Sequence, residues 1–257
     1  MENITICITT FKKRLELVKN LINSIKDFYP EIEILVAING EHEEGMDDEY
    51  RSDILKFISS KSGVIPIMFT EFRSLSKLWN NLVVFSKTNF NLVLNDDLIF
   101  EDSSIINNIQ EYIKNTGQGI FTINGTFSHF VVSKIELDKL GYFDERLLAH
   151  GEEDGDMVWR YIEKYSNYLP IMRLNGIKNV GDYDTPTINM ISHVYNKPKF
   201  NRTFCFTKYK PVTTPNGIVG MFGSPYTNVI PNERQYPYEM FWLKNKKNIT
   251  NGDKFEF

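Results

Sequence analysis

Cysteine is scarce in this 257-residue chain, which contains only Cys7 and Cys205. Two cysteines this far apart indicate neither a disulfide framework nor a thiolate metal site, so a reducing compartment is the simpler expectation. No stretch approaches the ~18 consecutive apolar residues of a membrane-spanning helix. The first residues lack a basic region followed by an apolar run, which predicts no signal peptide. We therefore expect a cytoplasmic protein without a transmembrane segment.

Positive charge is not in excess either. Asp and Glu number 33 against 29 Lys and Arg, and the formal net charge is −4. Because nucleic-acid-binding proteins usually carry a basic face, this balance argues against a nucleic-acid partner. It leaves room for a local basic pocket for a diphosphate, to which Arg73 and Lys77 could contribute. The alternative is that both are solvated surface charges.

Apolar patterns alternate between strand and helix over the first hundred residues. A β-branched run over 4–9 predicts a buried strand, and apolar residues at helical spacing over 15–28 predict a helix with Thr10 as its N-cap. A strand over 32–38 completes a βαβ unit, which implies a parallel strand pair. The same reasoning predicts strands over 64–69 and 90–94, a helix over 51–59, and a helix that begins after Ser74 as its N-cap.

The pattern changes in the second half of the chain. Two short strands are predicted over 119–123 and 126–132. A capping box, Ser133-Lys134-Ile135-Glu136, predicts a short helix. A further helix is predicted to begin at Glu153-Asp154. From about residue 198 onward Pro, Gly, Asn and aromatic residues predominate, which indicates irregular structure.

An acidic pair follows directly on the strand predicted over 90–94, in the sequence Asn95-Asp96-Asp97. Two adjacent carboxylates at the carboxyl end of a strand suit a hard divalent cation and the phosphates whose charge it neutralises. The alternative is a turn in which Asp96 and Asp97 cap the residues that follow. The position of the pair within a βαβ series favours the cation.

A second acidic cluster, Glu152-Glu153-Asp154-Gly155-Asp156, has two interpretations. It could be an acidic first helical turn that complements the helix dipole, or it could supply a general base that deprotonates a hydroxyl. His193 is either an ordinary polar side chain or a further ligand for a cation beside Asp97. A leaving diphosphate needs a cation as Lewis acid, and a displacement needs a base. The three elements together predict a metal-dependent transferase that uses a nucleotide-activated donor.

Three segments, in this order, resemble inverting family 2 glycosyltransferases with the GT-A fold. Residues 6–14 (ICITTFKKR) are similar to the opening strand and loop of that family, and residues 92–97 (LVLNDD) to its DxD-type motif. Residues 140–145 (LGYFDE) and 151–160 (GEEDGDMVWR) resemble its "GxFDE … GEDxDxxxR" segment. The resemblance covers about residues 3–195, and the ordered combination is more specific than any single motif.

The resemblance implies an α/β fold, GT-A-like and Rossmann-like. A twisted, mostly parallel sheet would be flanked by helices, with a small antiparallel segment and a C-terminal extension. The expected catalytic domain covers 1–197, with a nucleotide-binding half over about 1–100 and an acceptor half over 101–197. Residues 198–257 would form the extension, as an acceptor lid or an oligomer contact.

The implied reaction moves a sugar from a nucleotide-diphosphate donor, expected to be a UDP-sugar, to a hydroxyl with inversion of the anomeric centre. Mn²⁺ or Mg²⁺ is the expected cofactor. The acceptor would be a glycan, a lipid-linked oligosaccharide or a glycoprotein, as in polysaccharide biosynthesis. The sequence leaves open whether the protein contacts a membrane surface and whether it forms an oligomer.

Site residues carry over by position in the motifs. Asp97 and His193 would hold the metal, and Asp154 would be the base with Glu153 orienting the acceptor. The residues that would border the donor are Thr9, Thr10, Arg14, Asn39 and Asp96. Lys77 matches no motif and is added for the positive charge that it could bring to the phosphates. Asn39 stands where the family commonly has an Asp that binds the nucleobase of the donor. The identity of that nucleobase therefore stays open. The additional Glu152 leaves the choice between Glu153 and Asp154 as general base open too.

Two other functions compete with this interpretation. A sugar-phosphate nucleotidyltransferase would need a glycine-rich phosphate loop after the first strand, and Thr9-Thr10-Phe11-Lys12-Lys13 contains no glycine. A non-catalytic module that binds nucleotide or carbohydrate would not need both acidic sites.

Overall fold

The structure is a computed structural model. It describes residues 3–11, 14–40, 48–147 and 151–181, and after these only residues 201, 205, 209–211, 213–214, 217–218 and 226–229. The helices are α1 (Leu15–Phe28), α2 (Asp48–Ser59), α3 (Leu75–Phe85), α4 (Ile105–Thr116), α5 (Lys134–Leu140) and α6 (Glu153–Tyr165). The strands are β1 (Ile4–Phe11), β2 (Ile34–Asn39), β3 (Val64–Met68), β4 (Phe90–Asn95), β5 (Leu98–Phe100), β6 (Ile120–Ile123), β7 (Thr126–Ser133), β8 (Ile171–Met172), β9 (Ile177–Asn179), β10 (Tyr209–Pro211), β11 (Thr213–Thr214), β12 (Gly217–Ile218) and β13 (Tyr226–Val229).

Seven strands form one sheet in the order β3-β2-β1-β4-β7-β6-β8. β1 pairs in parallel with both β2 and β4, and β2 pairs in parallel with β3. β7 runs antiparallel to β4 and β6, whereas β8 runs parallel to β6. The predicted α/β class, with a mostly parallel sheet and a small antiparallel segment, is confirmed.

The strand order reverses direction at β1, because β2 lies on one side of it and β4 on the other. Ligands of open α/β sheets bind outside the carboxyl ends of the strands at such a point. The register places Thr9 beside Asn95 on β4, and Phe11 beside Asn39 on β2. Several residues that the sequence predicted to contact a donor therefore lie along one edge of the sheet.

The core of the sheet forms because its central strands are apolar on both faces, as expected of parallel strands covered by helices. Ile6 and Ile8 on β1 and Leu92 and Leu94 on β4 have no exposed surface. The apolar residues of α1 recur at i, i+3, i+4 and i+7, so one face of this helix is buried. That face consists of Val18, Leu21, Ile22 and Ile25.

Of the three predicted helix N-caps, the structure confirms two and contradicts one. Ser74 and Ser133 cap their helices as predicted: their Oγ atoms accept hydrogen bonds from Lys77 N at 3.3 Å and Glu136 N at 3.1 Å. The prediction that Thr10 caps α1 is wrong. β1 continues through Thr10 to Phe11 because both residues pair with β2, and α1 begins only at Leu15.

The chain divides into two compact units. The first contains the described residues up to Arg73, with Leu78–Lys139 and the described residues from Leu169 to 181. The second contains Ser74–Lys77, the described part of Leu140–Tyr168, and the described residues from 201 onward. In the latter stretch, β10 pairs with β13 and β11 with β12, both antiparallel. The division into a domain over 1–197 and an extension over 198–257 stays a prediction.

Two isoleucines on the same sheet test this description of the core. Ile6 on central β1 is fully buried, whereas Ile65 on edge strand β3 is 39% exposed. Ile6→Ala should lower the free energy of unfolding by about 2–5 kcal/mol, because it removes buried methyl groups and leaves a cavity. The matched change Ile65→Ala should cost less than about 1 kcal/mol. Urea unfolding followed by circular dichroism measures both, and equal losses would contradict the assigned core.

Candidate functional site

The acidic pair lies in the turn between β4 and β5. Asn95 ends β4, and Asp96 and Asp97 follow it before β5 begins at Leu98. Both carboxylates are buried, with residue exposures of 4% for Asp96 and 7% for Asp97. The strand therefore delivers two carboxylates to the reversal point of the sheet, as the sequence predicted.

Arg14 bridges the two carboxylates. Its Nε donates to Asp96 Oδ1 at 2.6 Å, and its Nη2 forms an ion pair with Asp97 Oδ2 at 2.8 Å. Burial alone would lower the pKa of Arg14, but the carboxylates of Asp96 and Asp97 raise it overall. A buried pair of like charges is stable only with a compensating charge, and within the described residues the Arg14 guanidinium provides it.

Arg14 contacts only one oxygen of each carboxylate. Asp96 Oδ2 and Asp97 Oδ1 are buried and form no hydrogen bond of normal geometry with any described residue. A buried acceptor without a partner costs about 1–3 kcal/mol. Carboxylate oxygens are also the ligands that Mg²⁺ and Mn²⁺ prefer. Asp96 and Asp97 therefore fit the divalent cation that the sequence predicted.

The electrostatics of Asp96 agree with this fit. Burial raises the pKa of Asp96 to about 6. The positive charge of Arg14 opposes this rise, and the negative charge of Asp97 adds to the rise. The Thr10 side chain also lowers this pKa. The ionised form of Asp96 is thus incompletely stabilised by the protein alone.

His193, which the resemblance pairs with Asp97 as a metal ligand, lies outside the described residues. Among those that are described, no group of three or more His, Cys, Asp and Glu side chains is arranged to hold a metal ion. The fit therefore rests on the two carboxylates.

A glycine allows the chain to approach the acidic pair closely. Val180 N donates to the Asp97 carbonyl at 2.7 Å, directly after β9 pairs with β5. A Cβ atom on Gly181 would lie only 2.8 Å from Asp97 Oδ2. The absence of a side chain at position 181 therefore leaves room for the Asp97 carboxylate.

Asn39 organises the edge of the sheet beside the acidic pair. Its Nδ2 donates to the Arg73 carbonyl and its Oδ1 accepts from Arg73 N, both at 2.9 Å. A Cβ on the next residue, Gly40, would lie 2.8 Å from the Thr70 carbonyl oxygen. The amide of Asn39 thus fixes the chain after β3, and its predicted contact with a nucleotide stays a prediction, as do those of the buried Thr9 and Thr10.

His129 lies at this edge, although the sequence pattern favours His193 over it as the histidine ligand. It is 7% exposed, lies opposite Leu94 in the β4–β7 register, and its Nδ1 is 2.8 Å from Ser128 Oγ. Burial lowers the pKa of His129, while the charge of Asp97 acts in the opposite direction. Its Nε2 is buried without a hydrogen-bond partner in the described part of the chain. The pairing of β7 with β4, which the sequence pattern does not reveal, is the signal that would have found it.

The second acidic cluster begins helix α6 in the second unit. Gly151 and Glu152 both have left-handed backbones, with φ of 107° and 76°, and Glu153 and Asp154 follow as the first helical residues. A left-handed non-glycine residue costs of the order of 1–3 kcal/mol and persists where the surroundings enforce it, often at functional sites. Asn201 Nδ2 donates to the Gly151 carbonyl at 2.7 Å and helps to hold this turn.

Asp156 of this cluster has a structural role, together with Arg160 on the next turn of α6. Arg160 forms hydrogen bonds of 3.0 and 2.8 Å to Asp156 Oδ2, and Asp156 is fully buried. The same guanidinium donates to the carbonyls of Leu140 and Gly141 at 3.0 and 2.7 Å. Arg160 therefore links the first turn of α6 to the end of α5, which explains this Asp–Arg spacing without catalysis.

The residues between α5 and α6 are also paired. Asp144 binds the buried Arg146 through Nε at 2.8 Å and Nη2 at 2.6 Å. Lys77 Nζ lies 2.9 Å from Glu145 Oε2. The ammonium group of Lys77 is thus matched by a carboxylate of its own unit, and its predicted role at the donor phosphates stays a prediction.

Glu153 and Asp154 differ in their surroundings. Glu153 is buried, and burial together with the charge of Asp154 raises its pKa to about 8. Asp154 is half-buried, and burial raises its pKa as well, while a hydrogen bond from Gly155 N to its Oδ1 at 2.8 Å opposes the rise. Near neutral pH Glu153 is therefore mainly protonated and can donate a hydrogen bond.

The structure brings part of the predicted site together. Asp96, Asp97 and Arg14 are in direct contact in the first unit. Glu153 and Asp154 are adjacent in the second unit, which also contains Lys77. The sequence does not predict the Arg14 bridge, because no local pattern indicates that Arg14 meets Asp96 and Asp97.

No protein-family model matches this chain, and no curated protein matches it by sequence. Solved structures do match. S. aureus TarS 1-349 in complex with UDP has a TM-score of 0.52 at 14% identity, with 67% of this chain and 57% of that chain covered. Mannosyltransferase PcManGT from Pyrobaculum calidifontis, in complex with GDP-Man and Mn²⁺, has a TM-score of 0.58 at 10% identity, with 84% and 66% covered.

These likenesses establish the fold, which is GT-A-like as the sequence predicted. The chain spans about three fifths of the TarS 1-349 structures and 66% of the mannosyltransferase. At identities of 10–15% the likeness extends to architecture and not to substrate. Within the described residues, none of the helices combines the length and apolar character needed to cross a membrane.

Glu153 gives a prediction about stability and pH. Its pKa is about 8 in the folded chain against an ordinary value of 4.5. The unfolded chain therefore releases this proton first, and the native state loses stability as pH rises from 4.5 to 8. Glu153→Gln cannot ionise, so its stability gain over the wild type should grow through that window, reaching on the order of 2–4 kcal/mol at pH 9.

Urea unfolding of both proteins at pH 5 and pH 9 measures this difference. Glu163→Gln, on the exposed side of the same helix, makes the same chemical change and serves as the control. A gain for Glu153→Gln that is equal at both pH values, or that the control reproduces, would contradict the assigned environment.

Proposed function

We propose that this chain is an inverting glycosyltransferase that moves a sugar from a nucleotide-diphosphate donor to a hydroxyl, with Mn²⁺ or Mg²⁺ as cofactor. The observation that carries the proposal is the buried pair Asp96–Asp97 at the reversal point of the strand order. One oxygen of each carboxylate has no hydrogen-bond partner among the described residues. The GT-A-like fold supports it. The motif resemblance to family 2 supports the inverting mechanism.

The acidic pair would serve the donor. Asp96 and Asp97 would hold the cation, which, when bound, supplies Lewis-acid stabilisation of the leaving diphosphate. Arg14, which already lies against both carboxylates, would add positive charge beside the phosphates. We propose a UDP-sugar as the donor, and a GDP-sugar is the second choice because one structural neighbour is a complex with GDP-Man.

The carboxylates that begin α6 would serve the acceptor. Asp154 would accept the proton of the acceptor hydroxyl as its oxygen bonds to the anomeric carbon and the bond from that carbon to the diphosphate breaks. Glu153 suits this role less, because its raised pKa keeps it protonated near neutral pH. It would instead donate a hydrogen bond that orients the acceptor. The acceptor would be a glycan, a lipid-linked oligosaccharide or a glycoprotein.

Asp97→Asn tests the donor half of the proposal. The wild type should gain about 5 °C or more in melting temperature from a saturating nucleotide-sugar with Mn²⁺, because the ligand binds only the folded state. Asp97→Asn should lose most of this gain, since the amide removes a negative charge from the cation site. Thermal denaturation with a panel of UDP- and GDP-sugars, with and without EDTA, measures it. Asp53→Asn, an exposed residue of α2, is the matched control, and an undiminished gain in Asp97→Asn would refute the assignment.

Asp154→Asn tests the acceptor half. Transfer should fall by roughly 10²–10⁴-fold, the usual contribution of a general base, while donor-induced stabilisation stays near the wild-type value. Release of the nucleoside diphosphate in the presence of acceptor measures the rate. Loss of donor binding together with activity would show that Asp154 belongs to the donor site instead.

A further inference from the structure

The cluster of Arg14, Asp96 and Asp97 carries a net charge of −1 when both carboxylates are ionised. The side chains are largely buried, with exposures of 12%, 5% and 10% for Arg14, Asp96 and Asp97. The charge-assisted hydrogen bond from Nε to Asp96, at 2.6 Å, is at the strong end of the range, and the ion pair from Nη2 to Asp97 measures 2.8 Å. The guanidinium of Arg14 is therefore firmly paired with Asp96 and Asp97, the same two carboxylates that fit a divalent metal ion.

A guanidinium and a divalent cation compete for this pair. Arg14 already contacts one oxygen of each carboxylate. Within the part of the chain that the structure describes, Asp96 Oδ2 and Asp97 Oδ1 are the carboxylate oxygens of this pair without a partner. Two cations within a few ångströms of each other in a buried site repel strongly, because little water screens them. A metal ion can bind tightly only if Arg14 moves away or if additional negative charge arrives with the metal.

We propose that Arg14 is an intramolecular counter-cation, which neutralises the acidic pair when the donor site is empty and turns to the diphosphate when metal and donor bind. This inference rests on the proposed function, and it adds a regulation of the same site. Metal binding then depends on the diphosphate, because the phosphates provide both metal ligands and a new partner for Arg14. By linkage, metal and nucleotide each strengthen the binding of the other.

The role of counter-cation depends on position 14 being an arginine. The planar fork of arginine reaches two carboxylates through separate N–H groups, as Nε and Nη2 do here. A lysine ammonium at position 14 would keep the charge without that fork. Glutamine would remove the charge and keep a polar side chain of similar length.

Titration of Mn²⁺ into the protein without nucleotide tests the proposal, by calorimetry or by electron paramagnetic resonance of free Mn²⁺. Arg14→Gln should bind Mn²⁺ at least ten times more tightly than the wild type, and Arg14→Lys should lie between them. Arg51→Gln removes the guanidinium of an exposed Arg–Asp pair on α2 and should match the wild type. UDP should strengthen Mn²⁺ binding by a smaller factor in Arg14→Gln than in the wild type.

Each outcome has one meaning. If Arg14→Gln binds Mn²⁺ no more tightly than the wild type, the counter-cation role is refuted, even where wild-type binding of UDP with Mn²⁺ upholds the proposed function. If the wild type and all variants bind neither Mn²⁺ nor any nucleotide-sugar, the proposed function itself fails and the inference falls with it. Should Arg14→Gln not fold, Arg14→Lys decides: Mn²⁺ binding no tighter than that of the wild type refutes the role.

Discussion

The parallel pairing of β1 with both β2 and β4 is the constraint on which the first unit depends. It makes β1 an interior strand with β2 on one side and β4 on the other, and so creates the reversal of strand order at which β4 delivers the acidic pair. The apolar residues that bury this strand on both faces also fix its register. The position of Asp96 and Asp97 next to Arg14 is therefore a consequence of how the core packs and not of local sequence.

Charge pairing distinguishes structural acidic residues from those available for chemistry. Asp156 is committed to Arg160, which also holds two backbone carbonyls, whereas Glu153 and Asp154 form no ion pair among the described residues. A motif rich in acidic residues thus contains two kinds of carboxylate. The pairing partner separates them, and sequence spacing alone does not.

The sequence predicted the elements well and their long-range contacts poorly. Periodicity identified α1 and the early strands because burial imposes it directly on neighbouring residues. The N-cap assigned to Thr10 was wrong because cross-strand pairing with β2 extends β1, and such pairing has no local signature. The bridge from Arg14 to Asp96 spans 82 positions, and the approach of His129 to the same edge depends on the pairing of β7 with β4.

The depth at which the Arg14 bridge is buried has a consequence for ionic strength. Mobile ions screen exposed pairs such as Lys19–Glu16 within about 8–10 Å at ordinary salt, but they cannot enter between buried groups. Sodium or potassium chloride should therefore leave the bridge intact while loosening the surface pairs. Only an ion that sheds its hydration shell and is coordinated directly by carboxylate oxygens can replace Arg14. The site would therefore select cations by their coordination chemistry and be insensitive to the concentration of monovalent salt.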